Sequence, residues 1–366
     1  MRFVGRNFFV GLLSILAFVM SGCGKMGGSP GRICCRVETE ETKGNVITTE
    51  GLKHAPWGEF CLDAYNDAEY IDHADGGTTP HPAGQYIDCG GSANVRYGES
   101  WDLTADYYWL NGINIRFWCW APVNVNGVRE LNHELRDLTG ANEMKFRYTM
   151  PAGGHVTDGH PDDATRQDDL IMAYEYKIWT ESSDEFINIH FYHALSQINF
   201  IIDLSDGSFA DALDVQSISL KGVASKAICT FSGNLRSFLW EVPISVGNFT
   251  QYYTKDMIGY REESDPLYDE AVNSLSVKRS SEMPFMAIPQ VHDGTASIEV
   301  VFSFRDDQDN LITRERSVTL DDTWVAGKYY TYRLKAQSVL EPYQFDFTVD
   351  LWESGGREFM TPSIIG

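Results

Sequence analysis

Four segments of the chain alternate apolar and polar residues with a period of two, at positions 113–119, 298–304, 330–335 and 345–351. Because successive side chains of a β-strand point to opposite faces, this period predicts strands with one buried and one polar face. No long run has the 3.6-residue period and the end signals of an amphipathic helix, which argues against alternating strands and helices. The pattern predicts an all-β chain built as two tandem antiparallel β-sandwiches.

The apolar stretch at 186–204 changes phase in its middle. Apolar residues hold odd positions in its first part and even positions in its second part. These residues are Ile187, Ile189 and Phe191, followed by Ile198, Phe200, Ile202 and Leu204. The change of phase predicts a bulge or a bend around 193–197, which would return one face to the core.

The domain organisation follows from length and from two polar stretches. A chain of 366 residues is long enough for two domains. Acidic and polar segments at 157–169 and 180–184 bracket a junction near residue 182. We therefore expect an N-terminal β-sandwich domain at 46–182 and a C-terminal one at 183–366.

The first 22 residues have the pattern of a secretory signal peptide. Arg2 and Arg6 precede an apolar run at 8–20, which is too short to remain as a membrane-spanning helix. The run ends in small residues before Cys23 and resembles a lipobox, so we expect Cys23 to be acylated and to hold the protein at the outer membrane. The alternative is ordinary secretion with an incidental cysteine. The polar segment 23–45 is then expected to be a lipidated tether.

Charge and cysteine content narrow the classes of partner. The chain carries 29 Lys and Arg against 52 Asp and Glu, a formal net charge of −23. A field of this sign repels polyphosphate and argues against a nucleic-acid partner. Of seven cysteines, six remain if Cys23 is acylated, and an even number in an oxidising compartment could form disulfides. Cys119 alternates with apolar neighbours and is expected to be a buried thiol.

Catalytic and metal-binding patterns are weak. His190 and His193 lie three positions apart and would point to opposite faces of a strand, so His193 is expected to make a buried hydrogen bond instead. The acidic stretches at 157–169 and 306–309 could bind calcium through carboxylate oxygens, but they lack the residue order of an EF-hand calcium loop, and this alternative stays open. The sequence has neither the zinc-protease motif nor the phosphate-loop motif. We expect no catalytic residues, no metal, no cofactor and no enzymatic activity.

Trp118 and Trp120 suggest a second class of function. They occupy the face opposite Ile115 and Phe117, and an exposed aromatic face on a β-sandwich could bind a carbohydrate. The protein would then be a monomeric carbohydrate-binding surface lipoprotein. The other interpretation is a central strand buried on both faces, or one covered by the second domain.

Several short sequence motifs, in the same order along the chain, resemble those of the fimbrillin (Mfa-like) family of lipid-anchored type V pilus subunits and surface adhesins. They lie within 95–352, the lipobox agrees with them, and the motif around His193 continues into Ile198 and Phe200. The matching residues are Tyr107–Trp109, Ile113–Phe117, Ala121–Pro122, Met150–Pro151, Gln167–Leu170, Phe191–Leu195, Phe285–Gln290, Trp324–Tyr332 and Phe347–Trp352.

The resemblance implies transthyretin-like β-sandwich domains and a structural or adhesive subunit of a fimbria. It also implies that a trypsin-like protease removes an N-terminal strand, after which a strand from another pilus subunit fills the groove by β-augmentation. Candidate processing residues are Arg32, Arg36 and Lys53, and the candidate donor strand is the tail 361–366. Arg32 and Arg36 precede the first predicted strand, at 45–49, whereas Lys53 follows it. Stalk, tip and anchor roles stay open, as does a glycan or host-surface ligand.

Overall fold

The structure is a computed structural model. It describes residues 31–39, 50–53, 58–71, 80–90, 93–123, 142–150, 169–180, 182–203, 213–253, 258–260, 275–277, 284–305, 308–339 and 344–355. Strands dominate this part of the chain, together with one short 3₁₀-helix at Gly51–Lys53. Within these ranges, no helix has the length and apolar character needed to cross a membrane.

The described strands are numbered in chain order, and most have five or more residues. They are β1 (Cys34–Thr39), β2 (Glu59–Asn66), β3 (Tyr70–Ile71), β4 (Pro80–His81), β5 (Gly84–Ile87), β6 (Val95–Tyr97), β7 (Trp101–Leu103), β8 (Asn114–Ala121), β9 (Glu143–Thr149), β10 (Ile171–Ile178), β11 (Phe186–His193), β12 (Ser196–Asp203), β13 (Leu213–Ser232), β14 (Ser237–Trp240), β15 (Ser245–Tyr252), β16 (Ile258–Tyr260), β17 (Leu275–Val277), β18 (Phe285–Ala287), β19 (Ser297–Arg305), β20 (Leu311–Thr319), β21 (Tyr329–Val339) and β22 (Gln344–Gly355).

The first sheet closes on itself. Its eight strands follow the order β5-β2-β6-β7-β1-β11-β10-β8, and β8 pairs in addition with β2. The enclosed core is apolar and includes residues from every side of the ring. Among its members are Val37, Phe60, Leu62, Val95, Trp101, Ile115, Phe117, Ala173, Ile187 and Phe191. A sheet that closes in this way leaves few unpaired strand edges around its core.

Two further sheets form the rest of the fold. One has the order β16-β17-β12-β21-β22, with β18 also on β12, and the other has the order β14-β13-β19-β20, with β15 and β9 also on β13. A second core joins their inner faces to the outer face of β8 and β10. Its members include Trp118, Met172, Phe146, Phe200, Val215, Ile218, Phe231, Phe302, Trp324 and Tyr332. The two cores therefore share the strands that separate them.

The all-β prediction is confirmed, and each of the four alternating segments lies on a strand, namely β8, β19, β21 or β22. The described pairings are antiparallel except for two, β1 with β11 and β12 with β21. The transthyretin-like description stays a prediction.

The phase change within 186–204 has a structural cause. The chain leaves β11 at His193 and enters β12 at Ser196, and these strands belong to different sheets. Ile187 and Phe191 face the enclosed core of the first sheet, whereas Ile198 and Phe200 face the second core. The bend is where the sequence predicts it, but it serves two cores instead of returning one face to a single core.

Two strands lie across the predicted junction at residue 182. β11 follows the junction but belongs to the first sheet, and β9 precedes it but pairs with β13 through seven residue pairs, from Lys226 with Thr149 to Ser232 with Glu143. The domain bounds stay a prediction, and the sheets themselves do not separate at this position.

Strand β8 is buried on both faces. Trp118 is 1% exposed and its ring lies 4.5 Å from that of Tyr174 and 5.9 Å from that of Phe231, while Trp120 is 5% exposed. Ile115 and Phe117 face the enclosed core on the other side. An aromatic platform must be open to solvent, so the platform interpretation of Trp118 and Trp120 disagrees with the structure. The alternative of a strand buried on both faces agrees with it.

Replacement of Trp118 by alanine is expected to lower the free energy of unfolding by about 3–5 kcal/mol, because it removes a large side chain from a packed core. The matched control is Tyr176→Ala on the adjacent strand β10, where the residue is 57% exposed. The control should cost less than about 1 kcal/mol. Urea unfolding followed by circular dichroism measures both, and equal losses would contradict the core position of Trp118.

Candidate strand-exchange site

The N-terminal strand β1 lies inside the first sheet, between β7 and β11. It runs parallel to β11 in a register from Cys34 with Phe186 to Thr39 with Phe191. On its other side it pairs with β7 at Cys35 and Trp101. A strand with neighbours on both sides closes the sheet, and its removal would leave backbone groups unpaired on both neighbours.

From Cys35 onwards, the side chains of β1 alternate between the core and the surface. Cys35, Val37 and Thr39 are buried, whereas Arg36 and Glu38 are exposed. Full burial of one aliphatic side chain such as Val37 contributes roughly 1.5–3 kcal/mol. The register of β1 is therefore set by pockets for alternate side chains, since a shift by one residue would bring Arg36 and Glu38 inward.

Aromatic rings line the groove that β1 fills. Phe60 lies 5.3 Å from the ring of Trp101 on β7 and 5.2 Å from the ring of Phe191 on β11. Phe60 therefore contacts an aromatic ring from each of the two strands that pair with β1. These rings come from strands that are paired to other parts of the sheet, so the groove has support that does not depend on β1.

Backbone contacts hold the segment that leads into β1. The Ile33 N–H donates to the Tyr107 carbonyl at 2.8 Å, and the Trp109 N–H donates to the Gly31 carbonyl at 3.0 Å. Gly31 packs so closely on Glu185 that an added Cβ would lie 2.5 Å from a carboxylate oxygen. A side chain at position 31 would require Glu185 to move.

Both candidate arginines make contacts. Arg32 pairs with Asp106, Nε to Oδ1 at 3.1 Å, and donates from Nη2 to the Leu103 carbonyl at 3.2 Å. Arg36 lies 3.8 Å above the ring of Phe186, and one of its nitrogens is 3.8 Å from an Asp184 carboxylate oxygen. Exposed pairs of this kind contribute about 0–1 kcal/mol each.

Lys53 ends the 3₁₀-helix in the connection from β1 to β2. Its Nζ donates to Glu50 Oε2 at 2.6 Å, and this hydrogen bond is the main cause that raises the pKa of Lys53. The adjacent Leu52 is buried. Of the three candidate processing residues, only Lys53 follows β1, since Arg32 precedes the strand and Arg36 lies within it.

The segment predicted as a tether needs correction. Residues 34–39 lie within 23–45, yet they form a buried strand. The predicted first strand at 45–49 and the candidate lipidation residue Cys23 lie outside the described residues. The signal for β1 was present in the alternation of Ile33, Cys35 and Val37 with polar or charged residues, but it covers a single short segment between polar flanks. Arg36 therefore does not precede the first strand.

The other predicted residues are placed as follows. The His193 ring bonds the buried carboxylate of Asp169 through Nδ1, which confirms the expected hydrogen bond. Asp306 and Asp307, the loop residues 157–168 and the candidate donor tail 361–366 lie outside the described residues. Asp63, Asp88 and Cys89, which the sequence did not single out, bring potential ligand atoms within 4.8 Å of one another.

Comparison with known proteins assigns the family. The model of the fimbrillin-like family matches residues 139–352, more than half of the chain. The chain therefore belongs to the fimbrillin-like family. A comparison with curated proteins finds no match. Membership of this family supports a role in a pilus or in cell adhesion, and with it a place at the cell surface.

Comparison with solved structures finds similar chains. A fimbrial protein from Bacteroides vulgatus is similar over 88% of this chain and 99% of its own, with 16% identity and a TM-score of 0.50. A candidate cell adhesion protein from Bacteroides ovatus is similar over 90% of this chain and 98% of its own, with 13% identity and a TM-score of 0.46. At such identities the likeness concerns the fold alone.

Cys35 provides a chemical probe of β1. Burial raises the pKa of its thiol to about 12, with a smaller contribution from the charge of Asp102. Because the thiolate is the reactive form, a maleimide at pH 8 should label Cys35 at least about 100-fold more slowly in the native chain than in guanidinium chloride. Mass spectrometry of the tryptic peptide 33–36 measures the rate after reduction, since Cys34 in the same peptide is disulfide-bonded. Cys35→Ser shows which of the two cysteines carries the label. Equal rates would contradict the burial of β1.

Proposed function

We propose that the chain is a pilus subunit from which β1 is released by proteolysis and in which a strand of another subunit then takes its place. The observation that supports this is the position of β1, a terminal strand that lies between β7 and β11 without being at a sheet edge. Release of β1 takes one neighbour from β7 and one from β11, and it leaves every other pairing of the first sheet in place.

The open groove would bind a donor strand by two physical effects. Loss of β1 leaves unpaired backbone groups along β7 and β11, and such groups favour pairing with an incoming strand. It also exposes the aromatic pockets around Phe60, Trp101 and Phe191, which the apolar side chains of a donor can fill again. Backbone pairing supplies affinity, and the alternating pockets supply register.

The position of the cut follows from the topology. A cut after Arg36 would remove Cys34–Arg36 and leave the last three residues of β1 in the groove. A cut in the connection between β1 and β2 would release the whole strand. The basic residues of that connection are Lys43 and Lys53, and we assign processing to Lys53. With an acyl chain on Cys23, the same cut would also separate the assembled subunit from its outer-membrane anchor.

The donor is proposed to be the C-terminal tail at 361–366, which follows β22 after a short connection. It contains Ile364 and Ile365 and carries no charged side chain, as suits a groove with apolar pockets. The protein is not proposed to be an enzyme. The carbohydrate-binding alternative loses its supporting observation, because Trp118 and Trp120 are buried.

Limited trypsin treatment of a chain that begins at Gly24 is expected to yield a new N-terminus at His54 and to convert monomers into a ladder of oligomers. Lys53→Gln should abolish both effects, and the matched control Lys43→Gln should retain them. Native mass spectrometry and N-terminal sequencing measure the outcome. Oligomers from the Lys53→Gln protein would place the cut elsewhere, and a clipped chain that stays monomeric and loses β1 would contradict strand exchange.

Deletion of 360–366 is expected to abolish assembly and to leave the melting temperature of the uncut monomer unchanged, because these residues act in the neighbouring subunit. The clipped deletion protein should still accept a donor, so a mixture with clipped intact protein should end in capped chains that are shorter on average. Native mass spectrometry measures the distribution. Unchanged assembly in the deletion protein would show that the donor lies elsewhere.

A further inference from the structure

Two buried cysteines outside the β1 groove lie against each other. Cys61 is on β2, Cys89 follows β5, and a side-chain hydrogen bond joins them. They are 1% and 5% exposed and belong to the same core. We propose that Cys61 and Cys89 form a disulfide in the exported protein. This inference does not depend on strand exchange.

The backbone around Cys89 is held in position for this bond. Its N–H donates to Asp63 Oδ1 at 2.9 Å, and Asp63 is fully buried. Asp63 lies two residues from Cys61 on β2, so both side chains point to the same face of the sheet. The carboxylate thus fixes the Cys89 backbone beside the strand that carries Cys61, as a disulfide between two chain segments requires.

The other described thiols are less suited as partners. Cys119 follows Trp118 on β8 and faces the enclosed core of the first sheet, together with Cys35. Cys61 pairs with Trp120 across β2 and β8 and faces the other core. Cys229 shares that core but lies on β13, where it pairs with Phe146 and Trp240. Cys89 is therefore the partner that the structure places in contact with Cys61.

The bond has to form before the chain is fully folded. The hydrogen bond with Cys89, followed by burial, raises the pKa of the Cys61 thiol well above its usual range, so the reactive thiolate is nearly absent in the folded protein. During folding the two thiols lose two protons and two electrons, and an oxidant of the disulfide class is reduced to two thiols. An oxidising compartment supplies such oxidants.

The bond would join β2 to the segment between β5 and β6. It closes a loop that contains β3, β4 and β5, which pair with each other or with β2 alone. A cross-link restricts the unfolded chain and so stabilises the folded one. It would hold β2, the first strand after the connection from β1, in the sheet independently of β1.

The sequence allows a direct test. No lysine or arginine lies between Lys53 and Arg96, so one tryptic peptide, 54–96, contains both cysteines and no others. Full-length protein is isolated from the cell envelope, and also refolded in a mixture of reduced and oxidised glutathione. Each sample is denatured in N-ethylmaleimide without reduction and digested. We expect peptide 54–96 to carry no label and to weigh about 2 Da less than the reduced peptide.

Two variants and a melting experiment give the controls. Cys61→Ser should leave Cys89 with one label, whereas Cys119→Ser should leave the peptide unlabelled. Reduction should lower the melting temperature of the wild type by about 5 °C or more and leave that of Cys61→Ser unchanged.

Three outcomes would overturn the proposal. Two labels on the unreduced peptide in both preparations would show that the thiols stay reduced. Attachment of Cys61 or Cys89 to another cysteine would show a different pairing. Zinc that copurifies with the protein, and thiols that react only after a chelator is added, would instead assign Asp63, Asp88 and Cys89 to a metal site.

Discussion

The backbone pairing of β1 with two neighbours is the constraint on which the first half of the structure depends. Cys34–Thr39 is hydrogen-bonded to β11 along its length and meets β7 on its other side, so the sheet around the enclosed core is continuous only while this strand is present. Its inward side chains fill pockets whose walls belong to other strands. A short terminal segment thereby completes a sheet that is otherwise held together by its own pairings.

The two hydrophobic cores of the protein share one pair of strands, β8 and β10. β8 and β10 face the enclosed core on one side and the core of the other two sheets on the other side. This arrangement explains why β8 carries large side chains on both faces and why the chain changes phase between β11 and β12. It also couples the first sheet to the rest of the molecule, because a change in the spacing of β8 and β10 would disturb both cores.

These two features together are compatible with assembly by strand replacement. The groove between β7 and β11 lies in the same sheet as the shared strands, and those strands are anchored from behind by the second core. This support suits the proposed loss of one strand, because the strands on either side of the groove have other partners. The proposed disulfide would also help to preserve the groove, since it would hold β2 in the sheet without any contribution from β1.

Much of this protein could be predicted from local pattern. The period of two at 113–119, 298–304, 330–335 and 345–351 identified strands, and the phase change around His193 identified the bend. Short sequence motifs in a characteristic order identified the fimbrillin-like family. These features could be found because alternation and short motifs are properties of neighbouring residues, which the sequence displays directly.

Other features were decided by contacts between residues far apart in the chain. The alternation at 33–39 is too short to stand out, and only its pairing with Phe186–His193 makes it a strand. Trp118 and Trp120 look the same in sequence whether they face solvent or a second sheet, and the packing of β10 and β13 against β8 decides that they are buried. Cys61 and Cys89 share no motif and become neighbours only when β2 and β5 pair. The sequence by itself determined that the long alternating segments become strands, because that depends on local periodicity. The tertiary structure decided that the short segment β1 is a strand, which faces are buried and which strands are neighbours, because these depend on long-range packing.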